Sequence, residues 1–263
     1  MKQNRDSIIL KKPDEIEAMR RAGRVVAAVL DRCEQACRPG ITTRELDDIA
    51  CETFTSLGAT GLFFGYPDYA PGQGYPRHTC ISVNEEIVHG IPGDRIIREG
   101  DVVSIDCGVR LKGWCGDGAR SILVGEVHPE VRRLVETTRR CLDAAVEAIR
   151  PGARWSEIAA GLEQIADSQR LGIIREYVGH GIGQSMHEPP KVPNYRITPG
   201  GREDFVLRPG LVIAIEPMLT LGTGQTLTLR DGWTVVTQDR KAAAHQEHTV
   251  AVTARGADIL TLP

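Results

Sequence analysis

The feature that most constrains this chain is that it runs through one structural phrase twice and ends each passage on an acidic residue. Pro39-Gly40 is followed by Glu45, and 60 positions after Gly40 comes Gly100, within Glu99-Gly100-Asp101-Val102-Val103-Ser104-Ile105-Asp106. Pro151-Gly152 is followed by Glu157, and 58 positions after Gly152 comes Gly210, within Pro209-Gly210-Leu211-Val212-Ile213-Ala214-Ile215-Glu216. Asp106 and Glu216 each stand six positions after their glycine. A duplicated strand that ends in a carboxylate predicts two half-domains facing each other across a site that both supply.

The helical parts of the phrase repeat as well. Pro13-Asp14-Glu15 is a helix start, with proline in the first turn and acids where the helix dipole favours them. Ile16, Met19, Ala22, Gly23, Val26, Val29 and Leu30 follow at helical spacing, and Pro39-Gly40 stops the helix near Arg38. Thr42 or Thr43 caps a second helix. In the second half His128-Pro129-Glu130 opens a helix that Pro151-Gly152 closes, and Ser156-Glu157-Ile158 begins the next. Strands are expected over 101–109 and 119–124, joined by the tight stretch 112–116, and then over 211–219, 225–228, 233–237 and 249–254. No linker rich in Ser, Pro or Gly separates the halves. Residues 1–263 therefore read as a single domain with half-repeats about 13–125 and 129–254.

Composition excludes several classes. A net charge of −3 gives no electrostatic case for nucleic acid or an anionic membrane as a partner. No apolar run approaches the roughly 20 residues that span a bilayer. The charged start Met1–Asp6 has no apolar region behind it of the kind a secretory leader carries. Seven cysteines without a framework spacing read as reduced thiols in a cytoplasmic protein. Cys33 and Cys37, four apart on a helix, read as buried small residues rather than as ligands.

The carboxylates carry the chemistry. Asp106 and Asp117 lie on opposite arms of the expected hairpin, which brings them side by side. Like charges at that range repel by roughly 4 kcal/mol at an effective dielectric near 20, so the pair needs a cation or a proton. Alone, such a pair reads as solvated turn residues. Glu216 changes that reading, because it ends an apolar run where a buried carboxylate must be paired or bind metal. Glu247, in Gln246-Glu247-His248-Thr249-Val250, precedes another apolar strand in the same way. His180 lies in a glycine-flanked loop that lets backbone approach closely. Four carboxylates and one imidazole suit two divalent cations, which would make water nucleophilic at neutral pH. Oxygen-rich ligation with one nitrogen favours Mn, Fe(II), Co or Zn over copper.

In this order, Asp106, Asp117, His180, Glu216 and Glu247 resemble the ligand set of the pita-bread metallopeptidases. The surrounding stretches resemble the type I methionine aminopeptidases within that family. They include Gly74-Tyr75-Pro76, Cys80-Ile81-Ser82-Val83-Asn84-Glu85, Val88-His89-Gly90-Ile91-Pro92-Gly93, Gly179-His180-Gly181-Ile182-Gly183, His187-Glu188-Pro189, Ile215-Glu216-Pro217-Met218 and Asp231-Gly232-Trp233-Thr234-Val235-Val236-Thr237.

The resemblance implies an α/β (α+β) pita-bread fold, with two pseudo-twofold halves around a central antiparallel sheet. It implies two divalent ions among Co, Mn, Fe, Zn or Ni. The Asp106 position binds one ion, the His180 and Glu216 positions bind the other, and Asp117 and Glu247 bridge. His187 donates to the scissile carbonyl oxygen, His89 contacts the peptide amide beyond it, and Glu216 shuttles the water proton. Tyr75, Cys80 and Trp233 line a methionine pocket.

Two features depart from the family pattern. Met186 stands where an aromatic residue is common. Pro67-Asp68-Tyr69-Ala70-Pro71-Gly72-Gln73 is a longer link, expected as a surface excursion near the pocket mouth that leaves Tyr66 open as a pocket member. The expected activity is release of the initiator methionine from nascent polypeptides that carry a small second residue. A monomer is expected, with ribosome association compatible with the activity but marked by no sequence feature, and a monovalent ion near Asn84 is left open. The alternatives are an Xaa-Pro aminopeptidase of the same fold and a non-catalytic binding protein.

Overall fold

The computed structural model describes residues 7–67 and 74–263, so Met1–Asp6 and residues 68–73 of the expected surface excursion lie outside the described residues. Four helices occur in two pairs: α1 Pro13–Ala36 and α2 Thr43–Ser56, then α3 Pro129–Ala148 and α4 Trp155–Ser168. Their starts follow from capping chemistry. Pro13 and Pro129 occupy first-turn positions where no N–H is missed. At α2 the Glu45 N–H donates to the Thr42 hydroxyl at 3.2 Å, while the Glu45 carboxylate accepts from the Thr42 N–H at 2.7 Å.

The strands are β1 Thr60–Gly61, β2 Cys80–Val83, β3 Glu86–Val88, β4 Val102–Leu111, β5 Trp114–Leu123, β6 Gly172–Ile173, β7 Gly179–Gly181 and β8 Glu188–Val192. After them come β9 Val212–Ile215, β10 Met218–Thr220, β11 Thr226–Thr228, β12 Val235–Thr237, β13 Ala243–His245, β14 His248–Thr253 and β15 Gly256–Ile259. All pairings are antiparallel. In the first half β4 lies between β1 and β2 and also pairs with β5; in the second, the order is β15-β14-β9-β7-β8. Each helix pair covers its own half's core. Val26, Val29, Leu46 and Phe54 pack on Ile81 and Ile105, whereas Leu134, Leu142 and Trp155 pack on Ile213 and Val250. Among the described residues, no helix is long and apolar enough to cross a membrane.

Three strand expectations change. The β4–β5 turn is only Lys112-Gly113, both at positive φ (49° and 87°), as a two-residue hairpin turn requires. Trp114-Cys115-Gly116, expected in the turn, belongs to β5. Gly116 is there for packing: a Cβ on it would lie 2.8 Å from the Gly23 nitrogen of α1. The expected strand over 211–219 breaks at Glu216-Pro217, and its two parts, β9 and β10, join different sheets. Pro217 has no N–H with which to continue the ladder. Finally, β7 shows that the Gly179–Gly181 segment is a central strand rather than a loop.

The helix–strand approach yields a prediction. A Cβ at Gly23 would stand 2.2 Å from the Leu260 carbonyl oxygen, a backbone atom that cannot rotate away. Gly23→Ala should cost about 2 kcal/mol, in the range of overpacked cores. The midpoint of urea unfolding measures it, and an unchanged midpoint would contradict the contact.

The halves are clasped by hydrogen bonds between β5 and the segment 245–249. The Asp117 N–H donates to the Thr249 hydroxyl (3.1 Å), which donates back to the Asp117 carbonyl (2.8 Å). The Glu247 N–H donates to the Ala119 carbonyl at 2.9 Å. The Ser121 hydroxyl accepts from the His245 N–H (2.9 Å) and donates to the His245 carbonyl (2.8 Å).

Candidate metal centre

The clasp brings acidic residues of the two halves together. On β4, Asp106 pairs in register with Ala119, and on β5 Asp117 pairs with Gly108. The two aspartates are thus diagonal neighbours on one face rather than directly opposed. His180 is held on β7 between β8 and β9, opposite Lys191 and Ala214. Glycines on both sides make this possible: a Cβ at Gly179 would meet the Ala214 oxygen at 2.3 Å, and one at Gly181 the Pro189 oxygen at 2.2 Å. Glu216 stands where Pro217 ends β9, and Glu247 in the short link between β13 and β14.

One atom each from Asp117, His180 and Glu247 lie within 4.8 Å of one another, a set that could hold a metal ion. His180 Nε2 is 3.8 Å from Asp117 Oδ2 and 3.7 Å from Glu216 Oε1. The His180 Nδ1 lies 2.9 Å from the Gly181 carbonyl. A carbonyl only accepts, so Nδ1 carries the proton and Nε2 turns its lone pair to the carboxylates.

The electrostatics call for a cation. Asp117 and Glu247 are 4% and 3% exposed. Burial raises the Asp117 carboxyl to about 7. Asp106, Glu216 and Glu247 are driven well above the carboxylate range by burial and then by neighbouring carboxylates: Asp117 acts on all three, Asp106 also on Glu216 and Glu247, and Glu216 also on Glu247. Burial pushes His180 down to about 3, keeping it neutral as a ligand must be. Asp106 Oδ1, Glu247 Oε1 and His245 Nε2 are buried with no hydrogen-bond partner. Buried, mutually repelling and unpartnered donors fit divalent cations.

A pH dependence follows. Carboxyls with raised values hold protons in the metal-free protein below about pH 7, and an incoming cation must displace them. Cation affinity should therefore fall as pH drops from 7.5 to 6. Calorimetry in two buffers of different ionisation enthalpy should show proton release on binding. Equal affinity at both pH values without proton release would contradict the burial argument.

The ligand, catalytic and pocket residues expected from the sequence all line one cavity of about 250 Å³. Its apolar wall is a cluster of Phe63, Tyr75, Cys80 and Met186, against which Trp233 packs. Met186 is thus part of the pocket. The Tyr75 hydroxyl donates to the Gly90 carbonyl at 2.8 Å, tying the pocket to the segment that holds His89. His89 sits in the left-handed region (φ 59°), a strained state for a non-glycine residue of the kind found at functional sites. Its ring meets Tyr177 edge-on with centroids 5.3 Å apart. The His187 ring lies 4.2 Å from that of His180, and its Nδ1 is hydrogen-bonded to the Tyr66 hydroxyl at 2.7 Å. Tyr66 is therefore a cavity residue.

The sequence reading missed Phe63, Val88, Tyr177, Val178 and His245. Only His245 carried a signal, as His245-Gln246-Glu247 in extended backbone turns His and Glu to the same side.

The family model for "Metallopeptidase family M24" matches residues 17–254. The chain belongs to metallopeptidase family M24. Among members of this family, methionine aminopeptidase 1 of Bacillus subtilis is 43% identical over 254 residues, covering 97% of this chain and 99% of that protein. The crystal structure of the Thermotoga maritima methionine aminopeptidase superposes with a TM-score of 0.92 at 40% identity, over 98% of this chain and 100% of that one. The prolidase of Pyrococcus furiosus shares the fold with a TM-score of 0.75 at 25% identity, over 97% of this chain and 66% of that one. The M24 pita-bread fold is thus established, and within M24 the chain falls among the methionine aminopeptidases. Membership of a metallopeptidase family also implies divalent-metal chemistry.

Proposed function

We propose that this single-domain enzyme, with half-repeats about 13–125 and 129–254, removes the N-terminal methionine from newly made polypeptides whose second residue is small. The observation that carries this reading is the meeting of four carboxylates, the buried Asp117 and Glu247 and the half-buried Asp106 and Glu216, and His180 with the apolar pocket of Tyr75, Cys80, Met186 and Trp233. Asp106, Asp117, His180, Glu216 and Glu247 would hold two divalent ions, Asp106 on one side, His180 and Glu216 on the other, Asp117 and Glu247 between. The ions are drawn from Co, Mn, Fe, Zn or Ni. Bound there, they would activate water at neutral pH and polarise the scissile carbonyl.

The chain's own residues do the rest. The pocket takes an unbranched, polarisable side chain and excludes water from it. His187, held through Nδ1 by Tyr66, donates from Nε2 to the carbonyl oxygen as negative charge develops there. His89 contacts the amide beyond the scissile bond, its direction set by the strained backbone. Glu216 takes the water proton and passes it to the departing amine. The enzyme works in the cytoplasm as a monomer, and ribosome association would give it early access to N-termini.

The test is metal removal followed by addition of Mn, Fe(II), Co or Zn, with free methionine measured from a Met-Gly peptide. Met-Pro, Ala-Pro and Leu-Gly peptides run alongside. Metal-restored methionine release with little cleavage of Leu-Gly or Ala-Pro is expected. Cleavage of Ala-Pro instead would move the chain to an Xaa-Pro specificity. No release with any metal by the folded protein would overturn the catalytic reading.

A further inference from the structure

Glu216 stands between two histidines, and only one of them, His180, is in the ligand set above. On its other side lies His245, at the end of β13 and 1% exposed. His245 Nε2 is 3.7 Å from Glu216 Oε2 and 4.0 Å from Glu247 Oε2, with no hydrogen-bond partner. These separations are too long for hydrogen bonds. They do fit shared ligation: two donors each about 2.1 Å from one ion stand about 3 Å apart at a right angle and about 4.2 Å apart when opposite. They also match the distances from His180 Nε2 to its own carboxylate neighbours, 3.7 and 3.8 Å. The two imidazoles flank Glu216 alike, His180 at Oε1 and His245 at Oε2.

The backbone fixes this aim. Both main-chain groups of His245 are bonded to the Ser121 hydroxyl, so the side chain is held where β5 of the other half places it. Among the described residues the buried nitrogen has no hydrogen-bond partner, and it faces the two carboxylates.

Building on the dinuclear reading, we infer that His245 is a sixth protein ligand, giving the centre a second imidazole beside Glu216 and Glu247. Its consequence is a change in metal preference. An added nitrogen donor strengthens binding of Co, Ni and Zn more than of Mn, whose preference is for oxygen.

X-ray absorption on the fully cobalt-loaded protein tests this by counting imidazoles, and calorimetry on the metal-free protein gives affinities for Co(II) and Mn(II). Wild type should show two imidazoles per pair of ions. His245→Gln and His245→Asn should each show one, with Co(II) affinity weakened about 10-fold or more and Mn(II) affinity changed much less. Thermal unfolding of the metal-free variants checks that they fold, and the wild-type count alone decides if they do not. One imidazole in wild type overturns ligation by His245, even where the variants bind cobalt more weakly, since a residue that only orients Glu216 would do that. A folded wild type that takes up no cobalt would overturn the dinuclear reading as well, which separates the two failures.

Discussion

Replacing Glu247 by alanine should lower kcat/KM for methionine release by about 1,000-fold or more, with the fold intact. In the proposed centre Glu247 would serve both ions, so its loss would touch both at once. Two-ion catalysis is worth several kcal/mol of transition-state stabilisation, and about 4 kcal/mol corresponds to three decades in rate. The fold should survive because the clasp at this position is made by the Glu247 backbone N–H, which alanine keeps. The charge also matters: deletion removes one of four repelling carboxylates, so the metal-free variant should be no less stable than wild type. Steady-state rates on a Met-Gly peptide, metal content per chain and circular dichroism together test it. Turnover near the wild-type rate in a folded variant would rule out the ligand assignment.

The second large effect is expected far from the carboxylates in sequence. The Lys11 ammonium donates to Glu188 Oε2 at 2.7 Å and to the Ile9 carbonyl at 3.2 Å, with side chains only 2% and 7% exposed. Glu188 follows His187 directly, and its Oε1 accepts from the Ser185 N–H at 3.2 Å. A Cβ at Gly183 would collide with this carboxylate at 2.5 Å, so the pair is packed against the loop that carries His187. Lys11→Met would leave Glu188 buried and unpaired, which costs about 3–5 kcal/mol. The same change should lower kcat more than it raises KM, because His187 loses its support while Phe63, Tyr75, Cys80 and Trp233 of the methionine pocket stand on other segments. Lys11→Met with Glu188→Gln should recover much of the stability, since no buried charge is then stranded. A Lys11→Met protein with unchanged urea midpoint and kcat would show that the pair supports neither fold nor loop.

Helix starts were legible because they are local: Pro13, Thr42 and Pro129 announce themselves through capping chemistry within a turn. The five proposed ligands were legible because buried carboxylates need a reason, and because long flanking stretches match a known family. What the sequence did not disclose depends on contacts between distant segments. Gly116 reads as a turn residue until α1 is seen lying against it. The β9–β10 break has Pro217 as its only local mark, and the separation into two sheets follows from partners 23 or more residues away in sequence. Phe63 and Tyr177 enter the cavity through tertiary placement alone. His245 could have been noticed from its alternation with Glu247, but a lone histidine beside an apolar strand is ordinarily a core residue.

The clasp between β5 and residues 245–249 gives the cations a further effect. Asp106 and Asp117 come from the first half of the chain, and His180, Glu216 and Glu247 from the second, so neither half alone holds a complete coordination sphere. An ion held by the proposed ligands would therefore tether the halves, and unfolding would release it. Stability then becomes a readout of free metal: above the dissociation constant, each tenfold rise in metal concentration adds about 1.4 kcal/mol. Cells that run short of the metal would lose not only turnover but also the enzyme's resistance to unfolding and proteolysis.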